Sequence, residues 1–585
     1  MHRGIALFQR AGTRRAVHIS WLIKKRIIAT LASERGTVRK DRGGRLSVCL
    51  IYPNTYSLGM TNLGFQSAYH LFNEIDYCVA ERAFLPSTAE MDEHARTSTP
   101  LLSYESQTPV RDFDVIAFSL PFEDDYINIP KILALAGVGA KAVERHRADP
   151  LVIAGGVAVS LNPEPVADII DCFLIGDGEG AVRPFVDICL DMKERPVSRE
   201  EWLKEIDSIE WAYVPSLYEF IYDGTGIGEI RSLGGKPVVK ASKCMDFGGY
   251  AVPESFIVTP ETEFKGTFLI EAERGCPRGC RFCAAGFLYL PPRWRSAESV
   301  KDAVSRGLVA TGKVGLVGTA VSEYPDIKET VRMAIEAGGS MTLSSLRLDR
   351  LDKDFLGLLK EGGYRTMTLA PEAATEKMRQ VVNKGMTDSE IIDSIRLIKD
   401  AGFRKIKLYF IVGLPMEEDT DVEAIATLAK EIRSILGQGE VALSVNPFVP
   451  KPFTPFQWHS FEDASVIERR LGILKRSLAG AAGITLKSMS AREARVQAYL
   501  ARADRRAGSL ILAASENGWK KAAKGMDAFI DGSISALRGK ESVFAWDLID
   551  HGVKKSYLWA EYQKGLTGRL TPPCEVGTCF RCGVC

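Results

Sequence analysis

Three cysteines lie close together near the middle of the 585-residue chain, at positions 276, 280 and 283. Thiolates are soft ligands that favour zinc, copper(I) and iron–sulfur clusters. Three ligands are one too few for a closed structural zinc site, but they suit a [4Fe–4S] cluster whose fourth iron is left open. Gly275 and Gly279 allow the backbone to turn tightly around such a group, since glycine tolerates positive φ. The alternatives are unrelated thiols in one loop, or a zinc site completed by a distant residue.

A second set of cysteines lies at the C-terminal end of the sequence. Four thiols fall within the last twelve residues, at Cys574, Cys579, Cys582 and Cys585. Zinc knuckles usually separate their two Cys-x2-Cys arms by a dozen or more residues, whereas these arms share Cys582. The spacing therefore predicts a second metal centre and favours an auxiliary iron–sulfur cluster over zinc, with a metal-free tail as the remaining alternative.

Composition places these motifs in an ordinary globular protein. Hydrophobic residues make up 46% of the chain and charged residues 25%, with a net charge of +1, so there is no bulk electrostatic argument for nucleic-acid binding. Seven of the 12 cysteines lie in the two sets, which indicates metal ligation in a reducing cytoplasm. No apolar run reaches the roughly 18 residues of a membrane span. We therefore expect a cytoplasmic protein.

The first 45 residues are basic, and no acidic residue precedes Glu34. We interpret this segment as a basic surface helix or a loose extension. An organelle transit peptide and an RNA-contacting tail are the alternatives.

Two series of apolar segments must position the cysteines. In the N-terminal part, residues 46–52, 114–120, 151–156 and 172–176 read as buried strands separated by helices. This alternation predicts an α/β fold with a doubly wound parallel sheet, whose ligands bind beyond the carboxyl ends of the strands. Further strands are predicted at 267–272, 314–318, 341–345, 365–370, 405–412 and 441–446. They predict a partial (β/α)6 barrel with its site on the carboxyl-terminal loops, where the first cysteine loop also falls.

The Cys-x3-Cys-x2-Cys spacing, with the aromatic Phe282 before the last cysteine, resembles the radical SAM superfamily. The resemblance implies that the open iron binds the amino and carboxylate groups of S-adenosylmethionine. One electron then splits the sulfonium to methionine and a 5′-deoxyadenosyl radical. It also implies an electron donor such as a flavodoxin or a ferredoxin.

The N-terminal sheet resembles the cobalamin-binding-like domain that precedes many radical SAM barrels. The resemblance rests on Gly155-Gly156 and on residues 162–165 and 176–179. The Asp-x-His-x-x-Gly signature that places a histidine under cobalt is absent after the first strand. We interpret His94, in the nearest similar string, as a surface helix residue. Cobalamin binding stays open, and a domain that only caps the barrel is the alternative.

These elements give the expected domain order. Residues 1–45 are a basic extension, 46–195 a cobalamin-binding-like Rossmann-type domain, and 196–262 a connector of short strands. Residues 263–490 form the radical SAM barrel, and 491–585 a helical region with the cysteine cluster.

The resemblance also implies S-adenosylmethionine contacts at the strand ends. Gly318 and Thr319 lie where the loop facing the methionine amino group is expected, and Gly413 begins the adenine-side turn. Glu372 would accept hydrogen bonds from a ribose or an ammonium; the alternative is a helix N-terminal acid. Ser345 and Arg347 end the third barrel strand, and Arg347 would bind a carboxylate bidentately or form a surface ion pair. We assign no catalytic residue.

The sequence therefore predicts a radical SAM enzyme with an unidentified substrate. With cobalamin, methylation of an unactivated carbon is expected; without it, hydrogen abstraction in modification of RNA or protein. A non-catalytic iron–sulfur electron carrier is one alternative. An RNA-binding module is another, suggested by the basic residues 501–506 and by Trp546, Trp559 and Tyr562.

Overall fold

The computed structural model describes residues 19–224, 226–344 and 346–585, which divide into two compact units. The N-terminal unit runs to Gly266 and takes in Ala503–Phe529 and Val543–His551. The C-terminal unit comprises Thr267–Arg502, Ile530–Ser542 and Gly552–Cys585. The last part of the chain is thus shared between the two units.

The N-terminal unit is built on one six-stranded sheet. Its strands are β1 (Leu46–Tyr52), β2 (Cys78–Phe84), β3 (Val115–Ser119), β4 (Leu151–Gly155), β5 (Cys172–Leu174) and β6 (Ala212–Tyr213). They lie in the order β2-β1-β3-β4-β5-β6, and every pair is parallel except β5 with β6. Almost every residue of β1 to β5 is buried, because helices cover both faces of such a sheet. The doubly wound parallel sheet is confirmed.

Strand β2 is absent from the sequence prediction because it carries Glu81 and Arg82 in its centre. Both are buried. Arg82 pairs with Glu34 at 2.7 Å and with Glu105 at 2.6 Å. A buried strand can contain charged side chains that are paired in this way, even though its sequence lacks a continuous apolar run.

Helices and short strands complete the N-terminal unit. The helices are α1 (Trp21–Ala32), α2 (Tyr56–Thr61), α3 (Leu63–Asn73), α4 (Thr88–Thr97), α5 (Asn128–Ala136), α6 (Val157–Leu161), α7 (Gly178–Glu194), α8 (Arg199–Asp207), α18 (Ala507–Asn517) and α19 (Trp519–Ala522). In the connector, β7 (Tyr218–Asp223) and β8 (Gly226–Ser232) form a hairpin, and β9 (Val239–Lys240) pairs with β19 (Ile549–Asp550).

Helix α1 accounts for the described portion of the basic leader. Ile23, Ile27 and Leu31 form a small apolar cluster with Leu102. Their spacing puts one apolar stripe on the unit and leaves the basic side chains outside. Residues 1–18 lie outside the described part of the chain.

The C-terminal unit contains the six predicted barrel strands and a seventh. One sheet has the order β10 (Phe268–Glu271), β13 (Lys313–Val317) and β14 (Ser340–Leu343). The other has the order β15 (Thr366–Glu372), β16 (Lys405–Val412), β17 (Glu440–Pro447) and β18 (Ile484–Ser488). All neighbours in both sheets are parallel, and a parallel bridge between Leu346 and Leu369 joins them. Among the described residues these strands form an open arc and not a closed barrel.

Crossover helices follow most of these strands, as a parallel arrangement requires. The helices of this part of the chain are α9 (Ala285–Leu288), α10 (Ala297–Thr311), α11 (Ile327–Glu336), α12 (Lys353–Glu361), α13 (Glu376–Val381), α14 (Asp388–Asp400), α15 (Asp419–Leu436), α16 (Ala464–Ser477), α17 (Ala491–Arg502), α20 (Asp527–Ser535) and α21 (Lys555–Leu566). A short antiparallel pair, β11 (Glu273–Arg274) with β12 (Arg293–Trp294), flanks the first cysteine loop. No helix in the described part of the chain is long and apolar enough to cross a membrane.

Candidate cluster and cofactor site

The three cysteines of the first motif lie in one loop between β11 and α9. The Cys283 N–H donates a hydrogen bond to the Cys280 carbonyl at 3.0 Å, which makes a tight turn inside the motif. Gly275 has a φ of 93°, and a Cβ there would lie 2.4 Å from the Tyr289 carbonyl oxygen. Only glycine fits this position, so the loop is shaped by its sequence.

The donor set of this loop fits an iron–sulfur cluster. Burial raises the pKa of Cys276 to about 12 and, with the neighbouring Cys280 thiol, that of Cys283 to about 11. Metal-free thiols would stay protonated at neutral pH, whereas a metal deprotonates the thiols that ligate it. No group of three or more histidine, cysteine, aspartate or glutamate side chains among the described residues already converges as a metal site.

Lys384, which sequence reasoning missed, places a buried ammonium near the cysteine loop. Its Nζ lies 3.3 Å from Glu372 Oε1, and the two side chains are 9% and 13% exposed. Burial opposes the charge, but the Glu372 carboxylate, followed by the Cys280 thiol, outweighs it and raises the pKa of Lys384. A lysine in a loop with no repeating pattern gives no local signal, so only the fold brings it to the site.

Glu372 is the last residue of β15 and does not begin a helix, so the interpretation as a helix N-terminal acid is wrong. Its φ is 67°, and the pairing of β15 with β16 shifts register between Leu369 and Glu372. A non-glycine residue in the left-handed region is uncommon and costs about 1–3 kcal/mol where the surroundings hold it. This distortion turns the carboxyl group toward Lys384.

The guanidinium of Arg347 is paired within its own turn. Its Nε and Nη2 donate to the two carboxylate oxygens of Asp349 at 2.9 and 3.0 Å. Glu323 lies 3.6 Å away and also accepts from Arg278 in the cysteine loop. The bidentate partner of Arg347 is thus a neighbouring residue, and the Arg347 side chain is mostly buried and not on the surface. Its neighbour Ser345 lies outside the described residues.

Gly318 and Thr319 touch the base of the cysteine loop. The Thr319 hydroxyl donates to the Gly275 carbonyl at 2.7 Å, and a Cβ at Gly318 would collide with Glu273 Oε1 at 2.4 Å. Glu273 also accepts from the Ala320 N–H, and burial raises its pKa to about 7. Glu273, which sequence reasoning did not single out, thus links β11 to the loop after β13.

The turn after β16 is held by a second buried carboxyl group. The Gly413 N–H donates to Glu417 Oε2 at 2.6 Å, and Gly413 has a φ of 85°. Arg470 lies 3.0 Å from Glu417, yet burial raises the pKa of this carboxyl to about 7. Phe282, in the cysteine loop, is half-buried.

Cys574, the first of the C-terminal cysteines, lies beside the first cysteine loop, which spacing alone did not reveal. The Cys574 N–H donates to the Pro277 carbonyl at 2.7 Å. Burial and, after it, the thiols of Cys579, Cys585 and Cys582 raise the pKa of Cys574 to about 11, so the four sulfurs are electrostatic neighbours. Cys582 is buried and Cys585 exposed.

His94 differs from its predicted position. It lies on α4, as expected, but is 2% exposed, and its Nδ1 is 2.9 Å from the Thr99 carbonyl oxygen. Burial lowers its pKa. The prediction of a surface residue was wrong because His94 is the one side chain of α4 that is buried, while its neighbours in the last turn stay exposed or partly exposed.

The aromatic residues proposed to contact RNA are engaged in packing. Trp546 is buried and stacks on Phe544, and Tyr562 packs beside Trp559 and Trp458. In the basic segment, Arg502 is buried, Arg505 pairs with Glu164 and Arg506 pairs with Asp504.

The carboxyl ends of the N-terminal sheet are where this fold places ligands. Several ends are covered by the chain itself: α18 packs on the segments that follow β3 and β4, and His551 Nε2 lies 2.8 Å from the Ser160 carbonyl oxygen on α6. Two apolar side chains stay open beyond β1 and β3, Leu58 at 39% and Phe122 at 59% exposure. The loop after β1 contains no histidine. These residues do not fit a cobalamin ligated by a protein imidazole.

Two stretches of the chain match known protein families. Residues 64–215 match the family model described as "Radical SAM proteins, N-terminal", and residues 270–429 match "Radical SAM superfamily". An uncharacterized protein of Methanocaldococcus jannaschii is 28% identical over 74% of this chain and 83% of its own length. An uncharacterized methyltransferase of Pyrococcus horikoshii is 22% identical over 54% of this chain and 67% of its own.

Among solved structures, the chain is similar to the radical S-adenosylmethionine methyltransferase TsrM from Kitasatospora setae, solved with cobalamin and a [4Fe–4S] cluster bound. The TM-score is 0.49 at 13% identity, covering 83% of this chain and 100% of that one.

Proposed function

Because the chain belongs to the radical SAM superfamily, we propose that Cys276, Cys280 and Cys283 bind a [4Fe–4S] cluster at which S-adenosylmethionine is reductively cleaved. The observation that carries the proposal is the loop after β11. Its three cysteines have the Cys-x3-Cys-x2-Cys spacing of the family, and the loop begins at Gly275, where no larger residue fits. When bound, the cluster supplies the single electron that splits the sulfonium into methionine and a 5′-deoxyadenosyl radical. A low-potential flavodoxin or ferredoxin would supply that electron.

The chain's own residues bind and orient the cofactor. Lys384 is the cation we assign to the methionine carboxylate, because it is buried and interacts electrostatically with Cys280. A charge-assisted hydrogen bond in such a place is stronger than one in water. Glu372, turned by its left-handed backbone, would accept hydrogen bonds from the ammonium or the ribose. Gly318 and Thr319 are partly or fully exposed at the end of β13 and would face the cofactor. Gly413 is buried, and its N–H is already bonded to Glu417, so its role would be to shape the turn after β16.

The test is anaerobic reconstitution with iron and sulfide, followed by mass analysis of the S-adenosylmethionine products. Dithionite-reduced protein should form methionine and 5′-deoxyadenosine. Cys280→Ser should abolish 5′-deoxyadenosine, because only two thiolates remain in the loop. Cys189→Ala, at a buried cysteine in α7 outside both cysteine sets, is the matched control. Unchanged product from a Cys276, Cys280 and Cys283 triple serine variant would refute the proposal, and so would clusters without any product, which an electron carrier predicts.

Cobalamin-dependent methylation is a second candidate for the reaction. It is favoured by the exposed apolar Leu58 and Phe122 beside the point where the strand order reverses between β1 and β3. The relative named as a methyltransferase is consistent with it. Reconstituted protein should then retain cobalamin whose Co(II) spectrum lacks hyperfine coupling to an imidazole nitrogen, and His94→Ala should retain it equally. Absence of cobalamin uptake would refute this candidate and leave hydrogen abstraction from an RNA or a protein as the reaction class.

A further inference from the structure

A buried polar network ties the end of the chain to the first cysteine loop. Asn383, in the turn after α13, accepts from the Thr571 N–H at 2.8 Å through Oδ1. Its Nδ2 lies 3.2 Å from the carbonyl oxygens of Arg278, Gly279 and Thr571. One amide therefore bonds both to the backbone between Cys276 and Cys280 and to the segment that leads into Cys574.

A second contact starts from inside the cysteine motif. The Arg281 side chain is fully buried, and its Nη2 lies 3.2 Å from Glu561 Oε2 on α21. Glu561 in turn accepts from the Thr571 hydroxyl at 2.8 Å, and Arg281 donates to the Arg569 carbonyl. Buried hydrogen-bonded networks of this kind hold one arrangement and resist displacement, although the Nε of Arg281 has no hydrogen-bond partner among the described residues. We call Arg281, Asn383, Glu561 and Thr571 the tail clasp.

The clasp holds Cys574, the first of the four C-terminal cysteines, at the edge of the first cysteine loop. Cys574 follows Thr571 by three residues and bonds to Pro277. Cys582 is buried, with its carbonyl accepting from the Lys554 N–H at 2.9 Å, and the Arg581 Nε lies 3.1 Å from Cys579 Sγ. Free thiols gathered at this density beside a redox centre would be prone to oxidation. Metal ligation is the chemistry that suits them.

We propose that Cys574, Cys579, Cys582 and Cys585 bind a second iron–sulfur cluster, held beside the first by the tail clasp as an electron entry point. The inference rests on the proposed function for the role of the first cluster. The donor would lose one electron to the tail cluster, which passes it to the cluster of the first loop and returns to its oxidised state. An electron donor can reach this part of the tail from solvent, since Cys585 and Phe580 are both exposed.

The first test is metal content of the full chain purified without oxygen. Since a cubane holds four irons, wild-type protein should contain about eight irons and about eight sulfides, with no zinc. The four C-terminal cysteines changed to serine should lower iron by about four, as should the Cys276, Cys280 and Cys283 triple variant. Cys189→Ala should lose none. Should the quadruple variant misfold, Cys585→Ser, at an exposed position, should still weaken iron retention. Unchanged iron in both C-terminal variants, or loss of one zinc, would overturn the inference.

The second test measures how close the two centres are. In fully reduced wild-type protein, magnetic interaction between two nearby paramagnetic clusters should broaden the EPR signals. Asn383→Ala should keep the iron content but reduce the broadening, because the tail is no longer bonded to the loop. Thr571→Val should act in the same direction, and Asn517→Ala, at an exposed position ending α18, should not. Wild-type spectra that equal the sum of two isolated clusters would refute the placement.

The two proposals fail in different ways. If the proposed function is wrong, protein loaded with both clusters will form no 5′-deoxyadenosine with dithionite. If the tail cluster alone is wrong, dithionite-driven cleavage persists while the quadruple variant keeps its iron.

Discussion

The backbone N–H of Cys574 donates a hydrogen bond of 2.7 Å to the carbonyl oxygen of Pro277. The two residues are far apart in the sequence, yet each lies in or beside a cysteine motif. The bond makes the end of the chain part of the wall around the first cysteine loop. Changes in the tail should therefore alter the environment of the first cluster, even where they touch none of its ligands.

Lys384→Met should raise the KM for S-adenosylmethionine about 10- to 100-fold, because a hydrogen bond to a charged group is worth about 1.5–3 kcal/mol. Lys384→Arg keeps the charge and should recover most of the binding. The exposed Lys405 on β16 provides the control as Lys405→Met, which should leave KM unchanged. Equilibrium binding of S-adenosylmethionine to the reconstituted, unreduced protein checks the same point without turnover. Equal affinity of the methionine and wild-type proteins would remove Lys384 from the site.

Gly275→Ala should prevent cluster assembly. Its Cβ would meet the Tyr289 carbonyl at 2.4 Å in a left-handed backbone, so the loop must move. Gly312→Ala is the matched control, because Gly312 has a φ of 68° but nothing within 4 Å of its Cβ. It carries only the backbone strain, about 1–2 kcal/mol. Iron per chain after reconstitution separates the two: the control should keep its clusters, and a fully loaded Gly275→Ala protein would contradict this account of the loop.

The parts of the fold that sequence predicts are those with a local pattern. Continuous apolar segments identify β1, β3, β10 and β13, and the cysteine spacing predicts which thiols would bind a cluster. Strand β2 is not predicted because Glu81 and Arg82 interrupt the apolar pattern. Arg82 pairs with Glu34 and Glu105, and Glu81 accepts from Ser106, so all of these partners lie elsewhere in the chain.

Lys384 and the tail clasp could not be predicted from the sequence for a similar reason. Asn383 and Thr571 are 188 residues apart, and neither belongs to a motif. Only the folded chain joins them, so the contact between the cysteine sets has no signal in local sequence.

Stability of the N-terminal unit should fall in mild acid through His551. Burial lowers its pKa from 6.5 to about 4. Below pH 6.5 the imidazole of His551 binds a proton in the unfolded chain but not in the folded chain. The contribution of neutral His551 to the free energy of unfolding is therefore complete above pH 6.5 and is lost as the pH falls to about 4. At 1.36 kcal/mol per pKa unit the loss approaches about 3 kcal/mol.

His551→Gln removes this titration while keeping a donor for the Ser160 carbonyl. Thermal unfolding between pH 7 and pH 4.5 should show a shallower decline in midpoint for the glutamine variant than for the wild type. Parallel curves would mean that His551 is not the group responsible.

Arg82→Met should destabilise the N-terminal unit by about 3–5 kcal/mol, the usual effect of breaking a buried ion pair by removing one partner. The Arg82 and Glu34 side chains are fully buried and Glu105 is nearly so, so the two carboxylates would be left without their cation. Urea or thermal unfolding of the full chain measures the loss. Arg96→Met is the matched control: Arg96 pairs with Glu93 at 2.8 Å on the surface, where such a pair contributes little to stability. Adding Glu34→Gln and Glu105→Gln to Arg82→Met should restore part of the stability, because the uncompensated charges are then gone. If the Arg82 and Arg96 variants lose equally little free energy of unfolding, the buried ion pairs of β2 do not stabilise this edge of the sheet.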